Sequence, residues 1–129
     1  MRDAEVSGAK IENGYIEIYF ADGEKRSVSV KMAAQYRVSE TFAMEMVKNG
    51  AVIVDLRTRA EFSIKHMQGA VNVEYSGAEE WLKKQPKDGA YIFICRTGVQ
   101  SDEMAFFARS EGFERSFSLG GMLDMARVK

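Results

Sequence analysis

Residues 91–101 of the chain read YIFICRTGVQS, and this stretch determines the predicted fold. Its first part is a continuous apolar run, which is typical of a strand buried on both faces of a parallel sheet. The run breaks at Cys95 into a short segment that contains Gly98, and a helical pattern follows from Ser101. In open α/β sheets, ligands collect outside the carboxyl ends of the strands. We therefore predict an α/β domain with a functional site at Cys95.

Cys95 is the only cysteine of the chain. At the end of a strand its thiol would face backbone N–H groups of the loop and the positive end of the next helix. Both stabilise a thiolate, which is the nucleophilic form of cysteine. The alternative is that Cys95 is a small buried hydrophobic residue without a reactive role. Its position favours the reactive interpretation.

The composition limits the classes of protein to which the chain can belong. A length of 129 residues with 46% hydrophobic content suits one compact domain. One cysteine excludes an internal disulfide, and one histidine beside it argues against a zinc or iron–sulfur site, so we predict neither metal nor cofactor. A formal net charge of −1 argues against nucleic acid as a partner. We find neither a signal peptide nor an apolar run of membrane-spanning length, and we predict a cytoplasmic protein without a membrane partner.

Two regions of the chain differ in hydrophobic periodicity. Residues 11–30 alternate apolar and polar side chains around Asp22-Gly23, which predicts a β-hairpin; Asn13-Gly14 precedes its first strand. From Arg37 onward, short apolar runs alternate with helical patterns, which predicts a three-layer sandwich with a central, mainly parallel sheet flanked by helices. We therefore divide the chain into an N-terminal extension over 1–36 and an α/β domain over 37–129.

The second region contains four predicted strands and five predicted helices. The strands are expected over 51–54, 71–73, 91–94 and 116–119. The helices are expected from Ser39 to Asn49-Gly50, over 59–65, 77–84 and 101–110, and after Gly121. The first helix is expected to present Phe42, Met46 and Val47 on one packed face, and the helix over 101–110 to bury Met104, Ala105 and Ala108.

Three segments of this region resemble motifs of one known family. They are Asp55-Leu56-Arg57-Thr58-Arg59-Ala60-Glu61-Phe62, His66-Met67-Gln68-Gly69-Ala70-Val71-Asn72 and Cys95-Arg96-Thr97-Gly98-Val99-Gln100-Ser101, with Gly120-Gly121 following. In this order and spacing, they are similar to the motifs of the rhodanese (sulfurtransferase) homology domain, from about Arg37 to the C-terminus.

The resemblance implies a function for the loop that begins at Cys95. The Cys95 thiolate would take the outer sulfur of thiosulfate, a polysulfide or a persulfide, and would pass it to cyanide, a small thiol or an acceptor protein. The loop backbone would form an anion-binding cradle around the sulfur. The residues implied to bind substrate are Arg96, Thr97, Gly98, Val99, Gln100 and Ser101.

Four further residues are expected to support this site. Asp55 and Arg57 end a buried strand, where their charges need partners to offset desolvation. Glu61 is expected to supply a partner for such charges, and Phe62 to be a core aromatic residue. His66 could shuttle protons. The resemblance implies instead that its role is architectural.

The sequence also departs from the family pattern and leaves alternatives open. Gln100 replaces the usual second arginine of the loop, and Asp102 and Glu103 add negative charge in the first turn of the next helix. A cysteine-dependent phosphatase would need an arginine where Ser101 stands, so this alternative is disfavoured. A non-catalytic rhodanese-like binding or regulatory module would explain the fold but not the retained cysteine. The hairpin could cover a sheet edge, mediate dimerisation or dock a sulfur acceptor, so a monomer and a homodimer both remain open.

Overall fold

The computed structural model describes residues 6–12, 15–20, 22–29 and 34–121. The strands within these ranges are β1 (Val6–Glu12), β2 (Tyr15–Phe20), β3 (Lys25–Ser29), β4 (Val52–Asp55), β5 (Val71–Asn72), β6 (Ala90–Cys95) and β7 (Arg115–Gly121). The α-helices are α1 (Glu40–Lys48), α2 (Arg59–Ile64), α3 (Ala78–Lys83) and α4 (Val99–Ser110). Strands and helices alternate from residue 40 onward, as predicted; the helix predicted after Gly121 lies outside the described residues.

The main sheet has the strand order β5-β4-β6-β7, and every neighbouring pair is parallel. Side chains of β6 alternate between its two faces. Tyr91, Phe93 and Cys95 pack with residues of α3 and α4. Ile92 and Ile94 pack on the opposite face, with α1. Helices therefore cover both faces of the sheet, and the predicted three-layer sandwich is confirmed.

Capping residues set the ends of the helices. The Ser39 hydroxyl accepts a hydrogen bond from the backbone N–H of Phe42 at 3.1 Å and starts α1 where the sequence predicts. α4 begins two residues earlier than predicted, because Gly98 adopts a φ of 98° and turns the chain directly into the helix. Such a positive φ is readily accessible to glycine.

The packed face of α1 differs from the prediction. Phe42 and Val47 are 48% and 36% exposed, while Ala43 is fully buried and Met46 is partly buried. The small side chain of Ala43 lets the helix lie close to the sheet. Phe42 instead makes an edge-to-face contact with Phe117, with ring centroids 5.9 Å apart.

The core between β6 and the helices α3 and α4 follows the prediction. Met104, Ala105 and Ala108 of α4 are fully buried. Trp81 of α3 is the only tryptophan of the chain, and its ring meets that of Tyr91 edge-on at a centroid distance of 6.0 Å. This packing fixes α3 and α4 against the strand that ends at Cys95.

The N-terminal sheet is an antiparallel meander with the order β1-β2-β3. β2 and β3 form the predicted hairpin, which turns at Asp22-Gly23; Asn13-Gly14 and the predicted end of the hairpin at Val30 lie outside the described residues. β1 was not predicted and adds a third strand. β1 contacts the 3-10 turn Tyr75–Gly77 of the same chain. The meander therefore has a contact with the α/β domain.

Within the ranges given above, no helix combines the length and the apolar character that crossing a membrane requires.

Candidate active site

The Cys95 sulfur lies between the carboxyl end of β6 and the first turn of α4. The backbone N–H of Gly98 donates to it at 3.0 Å, and the backbone N–H of Ser101 donates at 3.3 Å. The left-handed conformation of Gly98 lets the loop curl back so that these two groups converge. Convergent N–H groups of this kind bind anions and stabilise a thiolate. Cys95 is only 1% exposed.

A series of polar contacts extends from the sulfur into the protein. The thiol of Cys95 donates to the hydroxyl oxygen of Ser101 at 3.5 Å, and that oxygen lies 3.0 Å from the hydroxyl oxygen of Ser118 on β7. The Ser118 hydroxyl donates to the carboxylate of Asp102. Arg37 pairs with the same carboxylate, with its Nη2 atom 2.6 Å from Oδ2 of Asp102. Asp102 is 4% exposed and Ser101 and Ser118 are fully buried.

β7 approaches the cysteine loop closely, beyond an irregularity in its pairing with β6. The register shifts between Phe93 and Ile94, and Cys95 is paired with Gly121. A Cβ atom on Gly121 would lie 2.7 Å from the carbonyl oxygen of Arg96 and 2.7 Å from the carbonyl carbon of Thr97. Glycine is therefore required at position 121 for β7 to contact the loop.

The charges predicted at the end of β4 contact each other. Asp55 is fully buried, and its Oδ2 atom lies 2.9 Å from Nη2 of Arg57. Arg57 also donates to the backbone carbonyl of Lys65. The side-chain amide of Asn72 donates to the backbone carbonyls of Asp55 and Arg57 at 3.1 and 2.9 Å. These contacts connect the ends of β4 and β5 to the loop before α2.

Glu61 and His66 lie on or beside α2. Glu61 accepts a hydrogen bond from the backbone N–H of Thr58 at 3.3 Å, which caps the helix. Its other oxygen lies 3.9 Å from Nε of Arg96, so Glu61 pairs with the cysteine loop rather than with the charges at the end of β4. His66 stacks on Phe62 at 3.8 Å and its Nδ1 atom lies 2.8 Å from the carbonyl oxygen of Phe62. These contacts hold the His66 ring against Phe62 of α2.

The cysteine loop directs its backbone toward the sulfur and much of its side-chain surface toward solvent. Arg96 and Thr97 are exposed, while Val99 and Gln100 are partly exposed. Glu103, which the sequence suggested as a second negative charge near the loop, is fully buried, and it accepts a hydrogen bond from the Tyr75 hydroxyl at 3.1 Å.

Two residues in the series of polar contacts that extends from the sulfur were not predicted from the sequence as part of the site. In the sequence analysis, Arg37 served only as the first residue of the α/β domain. The residues that neighbour it in the sequence do not indicate that its partner is Asp102. Ser118 carries a weak signal, because a serine within an apolar strand needs a hydrogen-bond partner when it is buried. The described residues contain no cluster of three or more His, Cys, Asp and Glu side chains that could hold a metal ion.

Comparison with known proteins assigns the fold and this loop to a family. Residues 39–126 match the family model described as the rhodanese-like domain. The chain belongs to the rhodanese-like family. This match extends over the cysteine loop, the segments from Asp55 to Asn72 and the Gly120-Gly121 turn.

Curated relatives of this rhodanese-like protein carry an enzymatic name. Thiosulfate sulfurtransferase GlpE of Ectopseudomonas mendocina is 29% identical over 92 residues, which cover 71% of this chain and 84% of the relative. Thiosulfate sulfurtransferase GlpE of Haemophilus influenzae (strain PittEE) is 32% identical over 82 residues, which cover 64% of this chain and 78% of the relative.

Solved structures share the fold of this rhodanese-like protein. The human single-domain sulfurtransferase TSTD1 superimposes with a TM-score of 0.60 at 23% identity, over 67% of this chain and 89% of that chain. SSP1007 of Staphylococcus saprophyticus gives a TM-score of 0.60 at 22% identity, over 70% of this chain and 91% of that chain.

Proposed function

We propose that this rhodanese-like protein is a sulfurtransferase that carries sulfane sulfur as a persulfide on Cys95. The observation that carries the proposal is the convergence of the Gly98 and Ser101 N–H groups on the Cys95 sulfur, at 3.0 and 3.3 Å. The names of the curated relatives support the same activity.

The first half-reaction loads the enzyme. The Cys95 thiolate attacks the outer sulfur of thiosulfate, a polysulfide or a persulfide, and a new S–S bond forms. The bond between that sulfur and the rest of the donor breaks, and its electron pair leaves with sulfite or a thiolate. Backbone N–H groups of the loop stabilise the negative charge of the sulfur atoms, as in an oxyanion hole.

The second half-reaction discharges the enzyme. Cyanide, a small thiol or an acceptor protein attacks the outer sulfur, and Cys95 leaves with the electron pair as a thiolate. The donor reacts with the free enzyme and leaves before the acceptor reacts with the persulfide form. The kinetics are therefore ping-pong. We assign substrate binding to the loop from Arg96 to Ser101, and structural support of the site to Asp55, Arg57, Glu61 and His66.

The test of this function is the loss of sulfur transfer when the only thiol is removed. Thiosulfate or polysulfide should add one sulfur atom to the wild-type protein by intact mass spectrometry, and dithiothreitol should remove it. Cys95→Ser should show neither the added mass nor turnover in a thiosulfate–cyanide assay. Wild-type protein blocked with iodoacetamide is the matched control and should behave as the variant does. Equal turnover by Cys95→Ser and wild type would show that the mechanism is wrong.

A second candidate function is a non-catalytic binding module, and the 1% exposure of Cys95 is the observation that favours it. Such a module would bind thiosulfate in calorimetry without forming a persulfide. A phosphatase is disfavoured, because Ser101 occupies the position of the phosphate-binding arginine. If the protein hydrolysed p-nitrophenyl phosphate and Cys95→Ser did not, a phosphatase would be favoured over a sulfurtransferase.

We further propose a cytoplasmic location. The chain has one cysteine, which is free, and the chemistry requires that it stay reduced. Reducing compartments keep thiols in that state.

A further inference from the structure

The hydrogen bonds around Ser118 have a defined direction. Its hydroxyl has one proton, and two acceptors lie near it, the carboxylate of Asp102 and the hydroxyl oxygen of Ser101. Arg37 forms a salt bridge with this carboxylate, with its Nη2 atom 2.6 Å from Oδ2 of Asp102. An ionised acceptor makes the stronger hydrogen bond, so the proton of Ser118 points to Asp102. Ser118 therefore offers Ser101 only a lone pair.

The hydroxyl proton of Ser101 consequently points away from the sulfur. Its acceptors are the Ser118 oxygen at 3.0 Å, the Gly98 carbonyl at 3.1 Å and the Gly120 carbonyl at 3.3 Å. The Gly98 carbonyl already accepts a hydrogen bond in the first turn of α4, from the Asp102 N–H at 3.0 Å. The Ser101 oxygen therefore presents a lone pair to the Cys95 sulfur.

We propose that Asp102 and Ser118 are positioning residues that restrain the reactivity of Cys95 through the hydroxyl of Ser101. The inference rests on the proposed function. An oxygen lone pair accepts a hydrogen bond from an uncharged thiol but opposes a thiolate. It therefore counteracts the two N–H donors at Gly98 and Ser101. Asp102 is also one of the departures from the family's loop pattern.

The restraint acts on the discharge of the persulfide. When an acceptor attacks the outer sulfur, the bond from that sulfur to Cys95 breaks and the electron pair stays on Cys95. A thiolate that is less stabilised leaves more slowly. The arrangement therefore favours a protein that retains its sulfur until a strongly nucleophilic acceptor reaches it.

Two variants and a matched control test the restraint. Asp102→Asn removes the carboxylate charge, and Ser118→Ala disconnects Ser101 from it while keeping the pair of Asp102 and Arg37. Ser116→Ala is the control, because Ser116 is a fully buried serine of the same strand whose hydroxyl has no hydrogen-bond partner among the described residues.

The measurements are the rate of Cys95 alkylation by iodoacetamide at neutral pH and the rate at which dithiothreitol discharges the preformed persulfide. Both variants keep the Ser101 hydroxyl but weaken the negative polarisation that it receives through Ser118. Both rates should therefore rise about two- to tenfold in Asp102→Asn, and by a smaller factor in Ser118→Ala. Ser116→Ala should match wild type. Damage to the loop would expose the Cys95 thiol, which is 1% exposed, and would raise its alkylation by the bulkier reagent N-ethylmaleimide more than by iodoacetamide. Equal factors for the two reagents therefore separate positioning from a structural role.

A Ser118→Ala rate equal to that of Ser116→Ala, or below wild type, would overturn the restraint. Thermal unfolding is measured first, to show that each variant is folded. If Asp102→Asn does not fold, the restraint is tested by the comparison of Ser118→Ala with Ser116→Ala alone. Alkylation needs no sulfur transfer, so this result is independent of whether the proposed function holds. Failure of that function would appear only as absent persulfide formation.

Discussion

At the scale of single residues, the site depends on buried carboxylates that are paired with arginine side chains. Asp55 is paired with Arg57, and Asp102 with Arg37 and Ser118. Burial of a charge is costly unless a partner offsets its desolvation. Removing the arginine leaves the carboxylate buried without compensation, which costs more than the intact pair contributes. The pairs therefore fix the loops around Cys95 in one arrangement.

Gly121→Ala tests how closely β7 must approach the cysteine loop. The added Cβ would lie 2.7 Å from backbone atoms of Arg96 and Thr97, which cannot move without shifting the loop. We expect the free energy of unfolding to fall by about 1–3 kcal/mol and persulfide formation to be lost. Urea unfolding and intact mass spectrometry measure the two effects.

Gly77→Ala is the control for this substitution, because no atom lies within 4 Å of the Cβ it would add. It should change the free energy of unfolding by no more than about 0.5 kcal/mol. If Gly121→Ala were as stable and as active as Gly77→Ala, the contact would not constrain the loop.

At the scale of secondary-structure elements, Tyr91 ties the start of β6 to the turn that precedes it. Its hydroxyl donates to the Pro86 carbonyl at 2.6 Å, and the residue is 3% exposed. Burial, and secondarily the nearby charge of Asp88, raise the pKa of Tyr91 above its ordinary value of 10.0. The unfolded chain therefore loses this proton at a lower pH than the folded chain does.

Tyr91→Phe should consequently have a pH-dependent effect on stability. At neutral pH the variant loses a hydrogen bond and should be less stable by about 1 kcal/mol. As the pH rises above about 10, the wild type loses stability because ionisation favours its unfolded state, and the deficit of the variant should shrink. Urea unfolding at both pH values measures this. A stability deficit that is constant or grows with pH would contradict the raised pKa of Tyr91. In a second variant, Asp88→Asn, the loss of stability above about pH 10 should be smaller than in the wild type.

Most elements of the α/β domain could be predicted from the sequence. The periodicity of hydrophobic residues and the helix-capping residues are both visible in short stretches of the sequence. The helix start at Ser39, the apolar strand before Cys95 and the buried face of α4 all follow from them. The packing of α1 could not be predicted, because Phe42 contacts Phe117, which is far away in the sequence. β1 could have been inferred from Asn13-Gly14, whose dipeptide is typical of a second hairpin turn.

At the scale of the whole molecule, the site is assembled from distant parts of the chain. The cysteine loop was identified because its residues are consecutive. The pair of Arg37 and Asp102 joins positions 65 residues apart, and an isolated β-bridge between Arg37 and Ser118 places Arg37 beside β7. Local patterns carry no information on such a pairing, so this half of the site required the structure.

The division into an extension over 1–36 and a domain over 37–129 leads to a prediction for the whole protein. β1 contacts the turn Tyr75–Gly77 of its own chain, which favours packing within one molecule over packing across a two-fold axis. A truncated protein that starts at Arg37 should therefore be monomeric, like the full-length protein, and less stable in urea. Sedimentation equilibrium on both proteins measures the association state. A full-length dimer that the truncation dissociates would contradict the prediction.

The single tryptophan has an optical consequence. Trp81 lies edge-on to Tyr91 in the core of α3 and β6, whereas the sulfur chemistry takes place at the opposite end of that strand. The tryptophan fluorescence of the protein thus originates from one side chain, with Tyr91 close enough to transfer excitation energy to it. Its emission reports whether this core is intact, and mass spectrometry of the same sample reports whether Cys95 carries sulfur. Folding and loading can therefore be followed together without an added dye.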